Sequence, residues 1–343
     1  MVTSKALAAE LGISIATVSR ALNGKPGLSP SLRKKILAEA AIRHTVINPV
    51  ARMLATSKSE NVCFAVYHLV GPVSKDPFYF PILMGLEEET RQVGLQLSIA
   101  AISEDDVKDA ALWRVISERR ADGVILNGPF VPASFILKLH SIGIPVVLVD
   151  NFNEHLPVDA VVAADKSGAS EAAKHIISLG HKKVAILSGP KDWYSNAERC
   201  AGFISAFANK GLDIPEIFYG DDTTYENGVK LFKKAIKKSP TAVISVNDAM
   251  ALGAIDAATE MGYSIPQDIS FTGFDDIESA RTSRIPLTTV SVPREFLGRA
   301  AGRLFWSRID DPSAPRQRIE IETKLVIRSS TQAAKRLKLV KNA

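Results

Sequence analysis

Arg20 is the residue in this sequence best suited to reading the chemistry of another molecule. Its guanidinium offers a planar fork of donors that fits guanine O6 and N7 together, a contact worth roughly 1–3 kcal/mol of base discrimination. Arg20 stands in SKALAAELGISIATVSRALN, residues 4–23. Apolar Leu7, Ala8, Leu11, Ile13, Val18 and Leu22 recur there at helical spacing and give two short helices a shared apolar face. Gly12 falls between them, where a tight turn needs a residue that accepts positive φ. Ser14 is placed to cap the second helix. Ile15, Ala16 and Arg20 then lie at the start and on the outer side of that helix, the end that enters a major groove in a helix-turn-helix. Thr17, Ser19, Asn23 and Lys25 suit phosphate contacts, which set register without reading sequence.

The charge supports that reading. Residues 1–60 hold nine Lys/Arg against three Glu, a net +6, so the remaining 33 Lys/Arg and 34 Asp/Glu leave the rest at −1. A basic head on a neutral body is the electrostatic footprint of phosphate binding by one part of a chain. The last ten residues, AKRLKLVKNA, add a separate +4 that reads as a solvated end. Enzymatic motifs are missing: there is no G-x-G-x-x-G after a strand, no P-loop and no G-x-S-x-G elbow. The Asp221-Asp222 and Asp275-Asp276 pairs are neighbours in sequence, and such neighbours on a strand point to opposite faces. The six His residues have no metal-ligand spacing. Cys63 and Cys200 each stand alone in apolar stretches and read as buried thiols in a reducing cytoplasm. Neither a signal peptide nor a membrane span is expected, since no apolar run reaches 18 residues. No cofactor and no metal is expected.

At 343 residues the chain should form two or three domains. Residues 29–43 read as a third helix, with Ser29 as cap, Pro30 at the first helical position and Leu32, Ile36, Leu37 and Ala40 as the apolar stripe. Asn48-Pro49 is another such start. The helix it opens, through Leu54, is too short to be stable without a partner. From residue 61 strand and helix patterns alternate. Candidate strands are 62–69, 95–102, 123–128, 145–150, 159–165, 183–189, 241–248 and 268–276, rich in Val and Ile as strands of buried parallel sheets are. Candidate helices are 79–93, 105–119, 132–142, 166–179, 196–210, 225–238 and 249–261. Gly94, Gly143, Gly180, Gly211 and Gly262 each stand where a helix should close. So many βα units imply two lobes, divided near 160–163, with extended segments 287–293 and 319–327 as further crossings.

Taken in order, ISIATVSRALNGKPGLS (13–29), NPVARML (48–54), DPFYFPILMGLEEETRQVG (76–94), VVLVD (146–150), LGHKKVAILSGP (179–190), ERCAGF (198–203), TAVISVNDAMALGAI (241–255), IPQDISFTGFDD (265–276) and LTTV (287–290) resemble the LacI/GalR family of bacterial transcriptional regulators. The resemblance implies an all-α helix-turn-helix headpiece (1–46) and a hinge helix and linker (47–60). Beyond them it implies a two-lobed α/β core (61–343) like a periplasmic sugar-binding protein, with parallel sheets. The N-lobe would take about 61–162 and 290–322, the C-lobe about 163–289 and 323–332. It further implies a homodimer on a palindromic operator in double-stranded DNA. Ile15 and Ala16 match base-reading positions, where they can sense only shape or a thymine methyl. Leu54 matches a minor-groove wedge that kinks the duplex. The chain departs from the family at His44-Thr45-Val46-Ile47, where a Gly-Tyr-x-Pro run is usual.

In the body, the family's ligand positions fall on Asp150, Arg199, Asn247 and Asp275, with Phe78 and Tyr79 as a stacking wall. Carboxylates accept, guanidinium donates and an amide does both, which suits the vicinal hydroxyls of a sugar. Asp222 occupies a place where relatives carry an aromatic wall, implying a more polar ligand than a plain hexose or a shifted wall. Asp165 and Asp248 read as helix caps. The function implied is a sequence-specific, allosteric DNA-binding repressor controlled by a sugar or sugar derivative. A solute-binding protein of a transport system is the alternative that the body alone would fit.

Overall fold

A computed structural model describes residues 2–22, 24–43, 58–67, 77–128 and 131–334. Asn23, Leu54 and the expected short helix at 48–54 lie outside the described residues. The chain divides into two units, Met1–Asn61 and Val62–Ala343.

The first unit holds α1 (Ser4–Leu11), α2 (Ile15–Leu22) and α3 (Pro30–Ile42). Local chemistry sets each end. Thr3 caps α1 by accepting from the Ala6 amide at 3.2 Å. Gly12 closes α1 at φ 66°, a left-handed conformation that a side chain would strain. The Ser14 hydroxyl accepts from the Thr17 amide at 3.0 Å at the start of α2, and Ser29 accepts from Leu32 at 3.3 Å at the start of α3. Leu7, Ala8, Val18, Ala21, Ile36 and Ala40 form the shared core. Leu37, expected in the apolar stripe, is instead 43 % exposed, because one residue beyond Ile36 it is turned about 100° round the helix. Arg43 pairs with Glu39 at 3.0 Å and with Glu10, tying the end of α3 to α1.

In the second unit β1 (Asn61–Tyr67), α4 (Tyr79–Gln92), β2 (Gln96–Ile102), α5 (Glu104–Lys108), α6 (Arg114–Ser117), β3 (Gly123–Asn127), α7 (Ala133–Ser141), β4 (Val146–Val149) and β5 (Asp159–Ala163) come first. Next are α8 (Asp165–Ser178), β6 (Val184–Ser188), α9 (Tyr194–Ala208), β7 (Glu216–Tyr219), α10 (Tyr225–Ala235), β8 (Ala242–Ser245), α11 (Asp248–Glu260), β9 (Ser270–Thr272) and α12 (Glu278–Thr282). The chain ends through β10 (Thr289–Ser291), α13 (Arg294–Asp310), β11 (Arg318–Ile321) and β12 (Lys324–Val326). One sheet has the order β11-β5-β4-β3-β1-β2, the other β7-β6-β8-β9. The ladders from β11 through β5, β4 and β3 to β1 are parallel, as are those of the second sheet. The antiparallel ribbon β10–β12 carries the chain between them. β11 returns to pair with β5, and Ser330 exchanges hydrogen bonds with Phe271 and accepts from the Thr288 amide at the edge of the second sheet.

Three expectations need correction. The single helix expected at 105–119 is two short ones, because the Asp109 side chain accepts from the Ala111 amide at 3.0 Å and turns the chain out of the helix. β7, α12 and α13 are absent from the elements expected from the sequence. α13 buries Leu297, Ala300, Ala301, Leu304 and Phe305, and glycines let it approach α4 closely. A Cβ on Gly298 would stand 1.9 Å from the Ile82 carbonyl oxygen, and one on Gly85 1.9 Å from that of Glu295. Finally, the strand expected over 268–276 is only three residues long, and Phe274 to Asp276 turn away from it.

Candidate functional site

Parallel α/β sheets bring their loops together at the carboxyl ends of the strands, and ligands bind there. Asp150 directly follows β4, and Asp275 lies three residues beyond β9. Both are buried, and both have positive φ, 57° and 110°. For residues other than glycine that backbone costs on the order of 1–3 kcal/mol, a strain that concentrates at functional sites. Asp150 belongs to the first sheet, and Asp275 and Arg199 to elements of the second.

Arg199 is the centre of the arrangement. It projects from α9, almost wholly buried. Its Nε donates to Asp165 Oδ1 at 2.8 Å and its Nη1 to the Val246 carbonyl at 2.7 Å. Nη1 also lies 3.0 Å from Asp275 Oδ1. The guanidinium stacks on the Phe274 ring, 3.9 Å from its centroid. Burial opposes its charge, but Asp165, Asp275 and Asp150 outweigh that and hold its pKa above the ordinary arginine value. The carboxylate pKa values also rise, which for an acid favours the neutral form. Burial pushes Asp275 up to about 6, against the pull of Arg199 and Arg294. Burial and the charge of Asp165 raise Asp150 well above the usual range, and burial raises Asp165 despite Arg199. Asp150 Oδ1 and Asp165 Oδ2 are buried with no hydrogen-bond partner among the described residues.

These groups border a crevice of about 250 Å³. Phe78, Tyr79, Asp150, Arg199, Asn247 and Asp275, all expected from the sequence, line it. Phe78 and Tyr79 meet edge to face, centroids 5.8 Å apart. Asn247 contributes less chemistry than expected. It caps α11, its Oδ1 accepting from Met250 at 3.0 Å while its Nδ2 donates to Thr223 O at 2.9 Å. Asp222 does not line the crevice. Its carboxylate turns back to accept from the Thr224 amide and hydroxyl at 2.9 and 2.7 Å, an Asx turn that its place before Thr-Thr favours.

Neither Asp165 nor Asp248 is a cap. Asp165 is the first helical residue after Ala164 and pairs with Arg199. Asp248 is fully buried and accepts from Thr289 Oγ1 at 2.5 Å and from the Ile277 amide at 2.9 Å. Sequence reasoning missed Pro77, Trp193, Ser195, Asn196, Thr223, Thr224, Ala249 and Ile277, which also border the crevice. Trp193 to Asn196 open α9 and Thr223 and Thr224 precede α10, so strand-end loops were the signal. A larger groove of about 850 Å³ runs over α10 and α11, but its charged residues, Asp256 and Arg284, are exposed.

On the first unit, Ile15, Ala16, Arg20 and Lys25 are exposed, while Thr17 and Ser19 are half-buried. Ala16 and Arg20, four apart, share one face of α2. The Thr17 hydroxyl shares a 2.9 Å hydrogen bond with Ser14, and the Lys25 carbonyl accepts from Arg33.

A family model described as "Periplasmic binding protein-like domain" matches residues 173–331. The chain is 30% identical to the HTH-type transcriptional regulator DegA of Bacillus subtilis, over 93% of this chain and 95% of that one. It is likewise 30% identical to the HTH-type transcriptional repressor PurR of Mannheimia succiniciproducens, over 97% and 99%. Among solved structures it is similar to the lac repressor dimer bound to operator and the anti-inducer ONPF, at TM-score 0.81 and 25% identity over 97% of this chain and 99% of that one. It is also similar to a complex of the transcriptional regulator CelR with cellobiose, at TM-score 0.73 and 26% identity over 96% and 100%.

Proposed function

The chain belongs to the LacI family of helix-turn-helix transcriptional regulators, and on that premise we propose that it is a repressor whose grip on operator DNA is set by a small sugar-like effector in the crevice. One observation carries this: the same chain holds an α2 with Ile15, Ala16 and Arg20 exposed and a crevice where two sheets converge on buried Arg199. Arg20 is the base reader, and Ile15 and Ala16 fit a groove by shape. Thr17, Ser19, Asn23 and Lys25 serve the phosphates, and Leu54 serves the minor groove.

A guest that touches Asp150 at the end of β4 and Arg199 on α9 engages both lobes together. It therefore favours one lobe arrangement by the difference in its affinity for the two. The lac repressor is a dimer on its operator, and we propose a homodimer here, acting on a palindromic site. Lobe movement would then alter how two headpieces are presented. The divisions 1–46, 47–60 and 61–343 are assigned to reading, coupling and sensing. As a protein of the chromosome it works in the cytoplasm. Among the described residues no helix is long and apolar enough to cross a membrane. The relatives are transcription regulators, and the crevice is assigned to binding, not catalysis.

Gel-shift titration of the full chain on its palindromic operator, with and without sugars, tests the proposal. Preference for that duplex over random DNA at fixed salt, altered by a sugar, is expected. Equal affinity for both duplexes refutes it.

A further inference from the structure

Beside the crevice the two lobes meet through a pair of aromatic rings. Phe152 lies two residues beyond Asp150, in the loop between β4 and β5. Tyr194 opens α9 between Trp193 and Ser195, both of which line the crevice. The rings meet edge to face, centroids 5.9 Å apart at an interplanar angle of 71°. Arg316 stands 4.8 Å and Arg318 4.4 Å from the Phe152 centroid, and Arg318 is 5.9 Å from that of Tyr194. All three distances fall within the reach of about 6 Å at which a ring face attracts a cation. Hydrogen bonds fix both arginines. Arg316 Nη1 and Nη2 donate to the carbonyls of Glu154 and Asn153 at 2.8 and 3.1 Å, in the loop that carries Phe152. Arg318, on β11 of the first sheet, reaches across the lobes, its Nη2 donating to the Tyr194 hydroxyl oxygen at 2.8 Å. Its pair with Glu320 is exposed and adds little.

We propose that Phe152, Tyr194 and Arg318 form a clasp between the lobes, which favours the arrangement in the structure and so sets how readily an effector moves them. This rests on the reading of lobe movement as the control of operator affinity. The three are positioning residues. They hold, from outside the crevice, the chain segments that present Asp150 and Arg199 to a guest. Rotation of one lobe against the other has to shift Tyr194 against Phe152 and Arg318. The rings are half-buried and the arginines exposed, so each contact is worth about two- to tenfold in an equilibrium. That is small beside the stability of a fold and suited to biasing two lobe arrangements of similar energy.

Pulsed electron spin resonance on the full chain tests this, with spin labels at Lys138→Cys on α7 and Lys233→Cys on α10. Both positions are exposed, one on each lobe, and Cys63 and Cys200 are buried from the label. Dilution with unlabelled chain keeps each distance within one molecule. Phe152→Leu and Tyr194→Leu should each change the ratio of the distance populations by about two- to tenfold. The double variant should change it no further than either single, because both break one contact. Tyr194→Phe, which keeps the ring pair, should change it less. Each Leu variant should also alter affinity for the duplex that wild type selects from a pool of random palindromes, by at least about twofold, with affinity for random DNA unchanged. Identical distances in all variants overturn the clasp, even where the thermal midpoint falls, since packing alone explains that. A double variant whose effect is the product of the singles overturns it too, as does unchanged operator affinity in both Leu variants. If wild type prefers no duplex, the regulator reading fails, while the distances still decide the clasp.

Discussion

Replacing Arg199 with Met keeps most of the buried volume of α9 and removes the charge that three aspartates surround. Asp165 loses a partner at 2.8 Å, Asp275 one at 3.0 Å and the Val246 carbonyl a donor at 2.7 Å. Removing one member of a buried ion pair costs about 3–5 kcal/mol, because the remaining charges are left uncompensated. Against a total stability of about 5–15 kcal/mol this is a large share. It corresponds to a fall in thermal midpoint on the order of 6–12 °C.

The deficit depends on pH in a defined direction. Asp150, Asp165 and Asp275 are all raised above the ordinary carboxylate range, Asp275 to about 6. Each therefore binds its proton more tightly folded than unfolded. Their contribution is fully present below an unfolded pKa of about 3.9 and is lost as pH rises through the folded value. Without Arg199 those values rise further, so wild type and variant should lie farther apart at pH 8 than at pH 5. Melting curves followed by circular dichroism at both pH values measure it. Arg199→Lys, which retains charge without the fork, should fall between the two. A midpoint loss under about 2 °C at pH 8, or a larger loss at pH 5, would refute the assignment of Arg199 as the counter-charge of the cluster.

Arg20→Ala should weaken operator binding by roughly 1–3 kcal/mol and relax the preference at one base position, read by gel shift on single-base operator variants. Raising salt should weaken wild type on specific and random duplexes alike, with a log–log slope reporting the phosphates neutralised by the basic head; a flat profile from 50 to 200 mM would sink that role for it. Ser14→Ala removes the acceptor for the Thr17 amide and should cost about 1 kcal/mol, seen as faster hydrogen exchange in α2; unchanged exchange would show that the cap contributes nothing. Gly298→Ala drives a methyl into the Ile82 carbonyl, and overpacking of this kind costs about 1–3 kcal/mol. Its thermal midpoint should fall while Gly143→Ala, with open space around its Cβ, suffers only the strain of its φ.

The features legible in the sequence are those whose causes lie within a few residues. Ser14, Ser29 and Gly12 act on amides and carbonyls three or four positions away, so the first unit could be outlined without its fold. The same holds for the glycines that close helices and for the Val/Ile strands of a parallel core. The resemblance to a family supplied both acids, the arginine and three further residues of the crevice wall, fewer than half of its lining, since a motif carries a position with it. Tertiary structure decided what each polar side chain meets. Asp165 and Arg199 are 34 residues apart and Asp248 and Thr289 are 41 apart, and no local pattern distinguishes these acids from helix caps. Asp222 went the other way, toward its own Thr224. α13 is absent from the helices expected from the sequence although Leu297, Ala300, Ala301, Leu304 and Phe305 recur at helical spacing, and only the tertiary structure shows the close backbone approach to α4 at Gly85 and Gly298. Local hydrogen bonds are written in neighbouring residues, whereas the environment of a buried charge exists only once distant strands have been brought side by side.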